Sequence, residues 1–311
     1  MVIEKTLVSV IMPAYNASAY INDAIQSVLN QSYPHFELLI CDDGSKDNTI
    51  EVINSFSDNR IKLYKNQKNL GNLKTTNRLF QQCNGEYIVI QDADDYSHFN
   101  RFELLLSEFR LDSELGVVGS NYEVISSQNQ TISCGVLPLD DKNIKSRMVK
   151  EVIPMLYGGV MFKAELLLKV GFFRSFFNRK GYADLDWLAR CSEVSKVKNV
   201  KKILYSYRKH DDSFTAKSKE TSLIWSNIHF LIIEAHKDRL LSKKDFFDSY
   251  NLYSLRYRLS DFYVRKSELC FWDKKLKLAY SMLFNAFCSN PFNINIYKTL
   301  FFIFKQKKTH G

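Results

Sequence analysis

Three carboxylates stand together in Asp92-Ala93-Asp94-Asp95, directly after the apolar run Tyr87–Gln91. Anions this close repel one another unless a cation or solvent offsets them. Carboxylate oxygens suit a hard divalent ion such as Mg2+ or Mn2+, shared with a substrate phosphate. The plain alternative is an acidic turn that caps the next helix. Asp42-Asp43-Gly44-Ser45 follows a second apolar run, Phe36–Cys41. An Asp there can accept hydrogen bonds from a nucleobase or ribose, or cap a helix. Tyr15 can stack on a base, or pack as a turn aromatic. Asp184 and Asp186 flank Leu185 ahead of an apolar helix start. Ionised at neutral pH, either can act as a general base, or both can simply favour the helix N-terminus. His210, within Tyr207-Arg208-Lys209-His210-Asp211-Asp212-Ser213, can ligate a metal or contact a phosphate; a lone loop histidine usually does neither.

These clusters need elements to hold them. Leu7–Met12 is β-rich and continuously apolar, as in a buried parallel strand. Ile21, Ala24, Ile25, Val28 and Leu29 fall on one face of a helix. Phe36–Cys41 is a second strand, and Ile50, Val52, Ile53 and Phe56 mark a second helix. Ile61–Tyr64 is a third strand, followed by the Asn69-Leu70-Gly71-Asn72 turn and a helix to about Gln82. Tyr87–Gln91 is a fourth strand. This βαβαβαβ order predicts a mostly parallel sheet with helices on both faces and right-handed crossovers. Ligands of such sheets bind beyond the carboxyl ends of the strands. The clusters Pro13–Asn16, Asp42–Ser45 and Asp92–Asp95 all lie at those ends. Residues 115–205 read as mixed, with strands at Val117–Val118, Tyr122–Ile125 and Gly158–Phe162 and helices at Asp141–Lys150 and Glu165–Val170. Beyond Lys217 the pattern is of amphipathic helices.

The 311 residues are 45% hydrophobic and 25% charged, which excludes a disordered chain, a collagen-like repeat and a disulfide-dense mini-domain. The net charge of +9 is uneven. Residues 1–200 hold 22 basic and 24 acidic side chains, residues 201–311 hold 21 and 10. The basic rear calls for an anionic neighbour. Six scattered cysteines, none at metal-knuckle or redox spacing, suit a reducing compartment. No secretory signal is visible. Residues 278–297 carry no charge, but Ser281, Asn285, Ser289, Asn290, Pro291, Asn293 and Asn295 argue against a membrane span.

Taken jointly, Val8-Ser9-Val10-Ile11-Met12-Pro13-Ala14-Tyr15-Asn16, Asp42-Asp43-Gly44-Ser45, Asn69-Leu70-Gly71, Gly85-Glu86-Tyr87-Ile88 and Asp92-Ala93-Asp94-Asp95 resemble family-two glycosyltransferases of the GT-A fold. The match is specific over residues 6–100. It continues more loosely through Gly171-Phe172, Asp184–Leu188 and Tyr207–Ser213, to about residue 215. The resemblance implies a Rossmann-like GT-A domain over residues 1–215, with a nucleotide-binding half to about residue 100, and a basic helical region over 216–311. It implies inverting transfer of a sugar from a nucleoside diphosphate, with Mn2+ or Mg2+ as cofactor. Tyr15 and Asp43 match positions that hold the nucleobase, with Pro13 and Asp42 beside them. Lys74 matches a basic donor contact. Asp92 and Asp94 match the Asp-x-Asp motif that contacts ribose and the diphosphate-bound metal, and Asp95 is a further candidate ligand. Asp184 matches the catalytic base, with Asp186 as its rival. His210 and Ser213 match a His-x-x-Ser element near the diphosphate. Two departures stand out: Ala183 replaces the glutamate usual before the base, and Phe172 follows Gly171 where a second glycine is usual.

The expected activity is transfer from a UDP-sugar to a glycan or lipid-linked glycan, in bacterial surface polysaccharide synthesis, capsule or lipopolysaccharide. A non-catalytic sugar-nucleotide or glycan-binding protein on a decayed version of the fold is the alternative. A sugar nucleotidyltransferase would want a glycine-rich phosphate loop where Pro13-Ala14-Tyr15-Asn16 stands. In the rear, Ile294, Tyr297, Leu300, Phe301 and Phe304 at helical spacing, then Lys305, Lys307 and Lys308, suit an anionic membrane surface or a packed helical subdomain. Nucleic acid is not expected as a partner. The expected location is cytoplasmic, peripheral on the inner face of the membrane.

Overall fold

The computed structural model describes residues 6–148, 154–179, 181–211, 213, 232, 235–236, 252–272 and 275–310. The chain divides into two compact units, residues 1–217 and 218–311.

The first unit is built on one curled sheet. β1 (Val8–Ala14) and β2 (Phe36–Asp42) are buried along their whole length. Each is covered on both faces, which is why each is mostly apolar; the buried exceptions Ser9 and Glu37 hydrogen-bond each other at 2.7 Å. α1 (Ile21–Leu29) turns Ile21, Ala24, Ile25 and Val28 onto the sheet. α2 (Thr49–Asn54), β3 (Ile61–Lys65), α3 (Asn72–Phe80) and β4 (Tyr87–Ile90) complete the repeating crossovers. β1 pairs parallel with β2 and β4, and β2 with β3. The register puts Ala14 opposite Asp42 and Ile11 opposite Ile90, so the polar clusters leave the sheet at one edge.

The second half extends the same sheet. It contains β5 (Tyr96–Ser97), α4 (Arg101–Leu111), β6 (Leu115–Ile125), β7 (Thr131–Gly135), α5 (Asp141–Met148), β8 (Met161–Lys163), α6 (Leu166–Val170), α7 (Ala183–Val194) and β9 (Lys196–Arg208). The strand order is β3-β2-β1-β4-β8-β6-β9-β5, with β7 on β6. The long pairings are parallel, including β6 with β9; the short ones, among them β4–β8 and β5–β9, are antiparallel. β9 runs 13 residues where sequence periodicity marks no strand. Its Lys196, Lys198, Lys201 and Lys202 mask the alternation, and two of them are tied down. Lys196 pairs with Asp112 and Glu114, and Lys198 with Glu108. Gly158 and Gly159 belong to a one-turn 3-10 helix, Tyr157–Gly159, rather than to β8. α2 starts later than the Asp42–Ser45 turn: Asp47 accepts the Thr49 N–H at 3.1 Å, while Asp42 closes its own turn.

In the second unit, α8 (Leu252–Trp272), α9 (Leu276–Ser289) and α10 (Ile294–His310) are the described helices. Ser267 and Ser260 of α8 donate to the carbonyls of Ala279 and Ala286, both at 2.9 Å. Asn293 donates to Ser260 and Asp261, and Thr299 to Glu268 at 2.7 Å. These bonds satisfy buried polar groups that a spanning segment would have left in hydrocarbon. No described helix is long and apolar enough to cross a membrane.

Candidate active site

The two-residue pairing of β5 with β9 does most of the positioning. Tyr96 lies opposite Ser206 and Ser97 opposite Tyr205, so the chain after β9 returns to the chain after β4. Arg208 then straps the two together. Its N–H donates to Asp95 Oδ1 at 2.7 Å and its Nε to the Asp94 carbonyl at 2.7 Å. Its guanidinium stacks over Tyr20 at 4.9 Å. The Tyr20 ring also contacts His210, centroids 4.6 Å apart.

This brings His210 Nε2 to 2.9 Å from Asp94 Oδ2. With Nε2–H donated to the carboxylate, Nδ1 carries the lone pair, and it is buried without a hydrogen-bond partner. Imidazoles that ligate metals characteristically hold one nitrogen on a carboxylate and offer the other. Among the described residues, no three His, Cys, Asp or Glu side chains converge closely enough to hold an ion alone. Asp94 and His210 therefore suit a hard cation whose remaining ligands come from a substrate's phosphates. The electrostatics agree. Burial first, and then the charges of Asp94 and Asp184, push the Asp92 carboxyl up to about 7, opposed by Arg101. Three carboxylates with one buried guanidinium leave a deficit of positive charge.

Arg101 is fully buried at the start of α4. It donates to the carbonyls of Ile90 at 3.0 Å and Gly158 at 2.7 Å, and to Gln91 and Ser97. It thus fixes the end of β4 to the Tyr157–Gly159 turn. Gly158 packs so closely that a Cβ there would come within 2.9 Å of Asp92 Oδ2 and 2.5 Å of the Tyr205 hydroxyl.

Asp184 sits in the first turn of α7, which enters through left-handed backbone at Gly181 (φ 76) and Tyr182 (φ 63). Burial pushes its carboxyl up, opposed by hydrogen bonds from the Leu185 and Asp184 N–H groups. Asp186, two residues on, is different. It is fully buried, 2.8 Å from Arg174 and 3.0 Å from Arg190. Its expected rivalry as a base is corrected: both oxygens are held by guanidinium groups, so it is a structural counter-ion. Asp95 is buried; its Oδ1 accepts the Arg208 N–H, while its Oδ2 has no hydrogen-bond partner. One oxygen of Asp95 thus helps hold β9, and the other is the one that a cation could take.

The residues at the ends of β1 and β2 form a second group. Pro13 is buried in β1, and Tyr15, just beyond it, is 44% exposed. Asp42 accepts from the Gly44 and Ser45 N–H groups, both at 3.1 Å. Asp43 accepts from Asn66, Leu70 and Gly71 at 2.7–2.8 Å, clamping the Asn-Leu-Gly loop. That loop is gripped from the other side by Asn178, which donates to the Leu70 carbonyl at 2.9 Å, and by Arg179, which donates to Asn69 at 2.8 Å. Gly71 needs its positive φ of 93, and a Cβ there would reach 2.6 Å from Asn178 Oδ1. Lys74 is exposed on α3. Ser213 is buried, and its N–H donates to the His210 carbonyl at 3.3 Å. Sequence reasoning named Asp94 and His210, which the structure brings together. It missed Arg101, Arg208, Tyr157 and Asn178, whose roles depend on tertiary partners and leave no local pattern.

With this geometry in place, comparison with known proteins is informative. The sequence profile described as Glycosyl transferase family 2 matches residues 9–168. Chondroitin synthase of Escherichia coli is 32% identical over 240 residues, 76% of this chain and 34% of that protein. The chain therefore spans about a third of that relative's length. Among solved structures, S. aureus TarS 1–349 in complex with UDP-GlcNAc superposes with a TM-score of 0.60 at 20% identity, over 76% of this chain and 70% of that one. The mannosyltransferase PcManGT from Pyrobaculum calidifontis, in complex with GDP-Man and Mn2+, gives 0.56 at 17% identity, over 90% and 74%. Both share the GT-A architecture of the first unit, its curled sheet flanked by helices.

Proposed function

The chain belongs to glycosyl transferase family 2, and from that premise we propose that it transfers a sugar from a nucleoside diphosphate to a glycan hydroxyl with inversion. The observation that carries the reading is the meeting of Asp94 and His210 at 2.9 Å, beside an Asp92 whose carboxyl feels Asp184. Metal, diphosphate and base positions, far apart in sequence, are thereby neighbours.

Tyr15 stacks on the nucleobase and Asp43 accepts from it, with Pro13 and Asp42 shaping the turn and Lys74 reaching the donor. Asp92 takes the ribose. Asp94 and His210 hold a divalent ion, Mn2+ or Mg2+, with the donor's phosphates, and Ser213 lies beside them. When bound, the ion neutralises charge that builds on the leaving diphosphate. Asp184 accepts the proton from the acceptor hydroxyl as that oxygen attacks the anomeric carbon. Its raised carboxyl makes it a better base than an exposed aspartate. The bond to the diphosphate breaks as the new glycosidic bond forms on the opposite face, and no covalent enzyme intermediate is needed. The presence of UDP-GlcNAc in the TarS complex supports a UDP-sugar. Resemblance to chondroitin synthase supports a bacterial polysaccharide product.

The second unit adds a location. Residues 274–311 contain no Asp or Glu but seven Lys. On α10, Ile296, Thr299 and Ile303 are buried, while Ile294, Tyr297, Phe301 and Phe304 face solvent at i, i+3, i+7 and i+10. Phe284 and Phe287 of α9 and Phe292 are exposed as well. An apolar stripe on an acid-free, lysine-bearing segment suits the headgroup boundary of an anionic membrane. That supports a peripheral enzyme acting on a lipid-linked glycan.

A thermal-shift panel of nucleoside diphosphates with and without Mn2+ tests the reading. Selective, Mn2+-enhanced stabilisation by UDP is expected. No stabilisation by any diphosphate in a folded sample favours the non-catalytic alternative, to which Ala183 gives its one support.

A further inference from the structure

Tyr157 lies on the 3-10 turn between α5 and β8 and has no part in the assignments above. Its ring packs edge-on against Phe173, centroids 5.4 Å apart. Its hydroxyl oxygen is buried and has no hydrogen-bond partner. The turn is not free to move away. Arg101 holds the Gly158 carbonyl at 2.7 Å, and Val160 N–H bonds back to the Tyr157 carbonyl at 3.2 Å. Gly158 itself rests against Asp92 Oδ2. Burial, and then the charges of Asp92 and Asp184, push the Tyr157 phenol well above its ordinary value. The hydroxyl therefore stays protonated and available as a donor, within electrostatic reach of both carboxylates.

A buried hydroxyl without a partner is costly, and native proteins rarely tolerate one unless a ligand completes it. Position identifies that ligand. Asp92 marks the donor's ribose and diphosphate side, and Asp184 marks the acceptor side. In a single displacement, the anomeric carbon lies between leaving and attacking oxygens. What occupies the space reached from both carboxylates is the sugar in transit.

We propose that Tyr157 is a specificity-determining residue, its hydroxyl hydrogen-bonding a polar substituent of the transferred sugar. The assignment rests on the glycosyltransferase reading above. It predicts that Tyr157 senses the sugar and ignores the nucleotide. A site built to bond a substituent discriminates strongly against sugars lacking it, because its own polar group is then left unpaired.

The test uses the full chain with Mn2+. Binding of UDP, UDP-glucose, UDP-galactose, UDP-GlcNAc and UDP-glucuronate is measured by calorimetry, and UDP release from each by a coupled assay. Tyr157→Phe keeps the ring and removes only the oxygen. It should bind UDP within about twofold of the native chain, yet lose ~10-fold or more in affinity and release rate for the best UDP-sugar. The ligand-free melting temperature should hold or rise, because an unsatisfied hydroxyl is gone. Native-like binding and release of that sugar by Tyr157→Phe overturns the assignment while leaving the transferase reading intact. So does a lowered melting temperature with UDP binding lost in parallel, which marks a structural hydroxyl. A native chain that binds no UDP-sugar better than UDP also overturns it. A native chain that binds neither UDP nor GDP removes the transferase reading and the assignment together.

Discussion

The Nε2 atom of His210 lies 2.9 Å from Oδ2 of Asp94, joining two loops 116 residues apart in sequence. One loop follows β4 and the other follows β9, and the short β5 pairing with the Arg208 strap keeps them in register. The proposed cation position thus depends on the sheet as a whole.

His210→Ala should weaken Mn2+-dependent UDP binding and lower transfer by ~10²–10³-fold, the usual range for removing one electrostatic contact at a charged leaving group. Asp94→Ala should do at least as much. UDP titrations with and without Mn2+ check both. A wild-type Mn2+ response in either variant sinks the cation assignment.

Asp184→Asn should retain UDP binding and lose transfer by ~10²–10⁴-fold, the range for a general base. The same variant should stabilise the ligand-free protein at neutral pH. Burial raises the folded-state carboxyl above its unfolded value, so the folded chain binds more protons. Stability then falls as pH rises through that window, and the loss is complete above the folded value. Asparagine carries no such penalty. Melting temperatures from weakly acidic to neutral pH should fall less steeply in Asp184→Asn than in the native protein. The acid limb of the native transfer rate should lie above the ordinary aspartate range.

Asp186→Ala should fail for a different reason. It would remove the buried carboxylate that Arg174 and Arg190 share, a loss of about 3–5 kcal/mol for a broken buried pair. At about 2–4 °C per kcal/mol for a domain of this size, the melting temperature should fall by ~10 °C. Activity per folded molecule should remain. Inactive but fully stable protein would return Asp186 to the chemistry.

Phe301→Ser with Phe304→Ser should reduce sedimentation with vesicles rich in phosphatidylglycerol, and high salt should do the same to the native chain. Phosphatidylcholine vesicles should bind weakly throughout. Unchanged sedimentation of the double variant removes the membrane role of α10.

The carboxylate clusters were legible because strands, turns and acids each leave a local signature. β1 and β2 declare themselves as largely apolar runs, interrupted only by Ser9 in the one and by Glu37 and the terminal Asp42 in the other. β9 does not, because its lysines hide the alternation until Asp112, Glu114 and Glu108 are seen beside them. Asp184 and Asp186 look interchangeable in sequence. Only the arginines folded against Asp186 separate them, and those come from the turn before α7 and from the helix itself. Arg101 reads as a solvated helix-start residue, yet it is fully buried and bonds five different residues. Such pairings are properties of the closed fold.

The Asn69–Gly71 loop is shared property. Asp43 holds one side of it, while Asn178 and Arg179 hold the other and lead directly into α7. In the proposed reading, a nucleotide settling against Asp43 would press on the same backbone that sets the entry of α7, the helix that carries Asp184. The kinetic expression expected of that wiring is an order of arrival, donor before acceptor, which product-inhibition patterns would read.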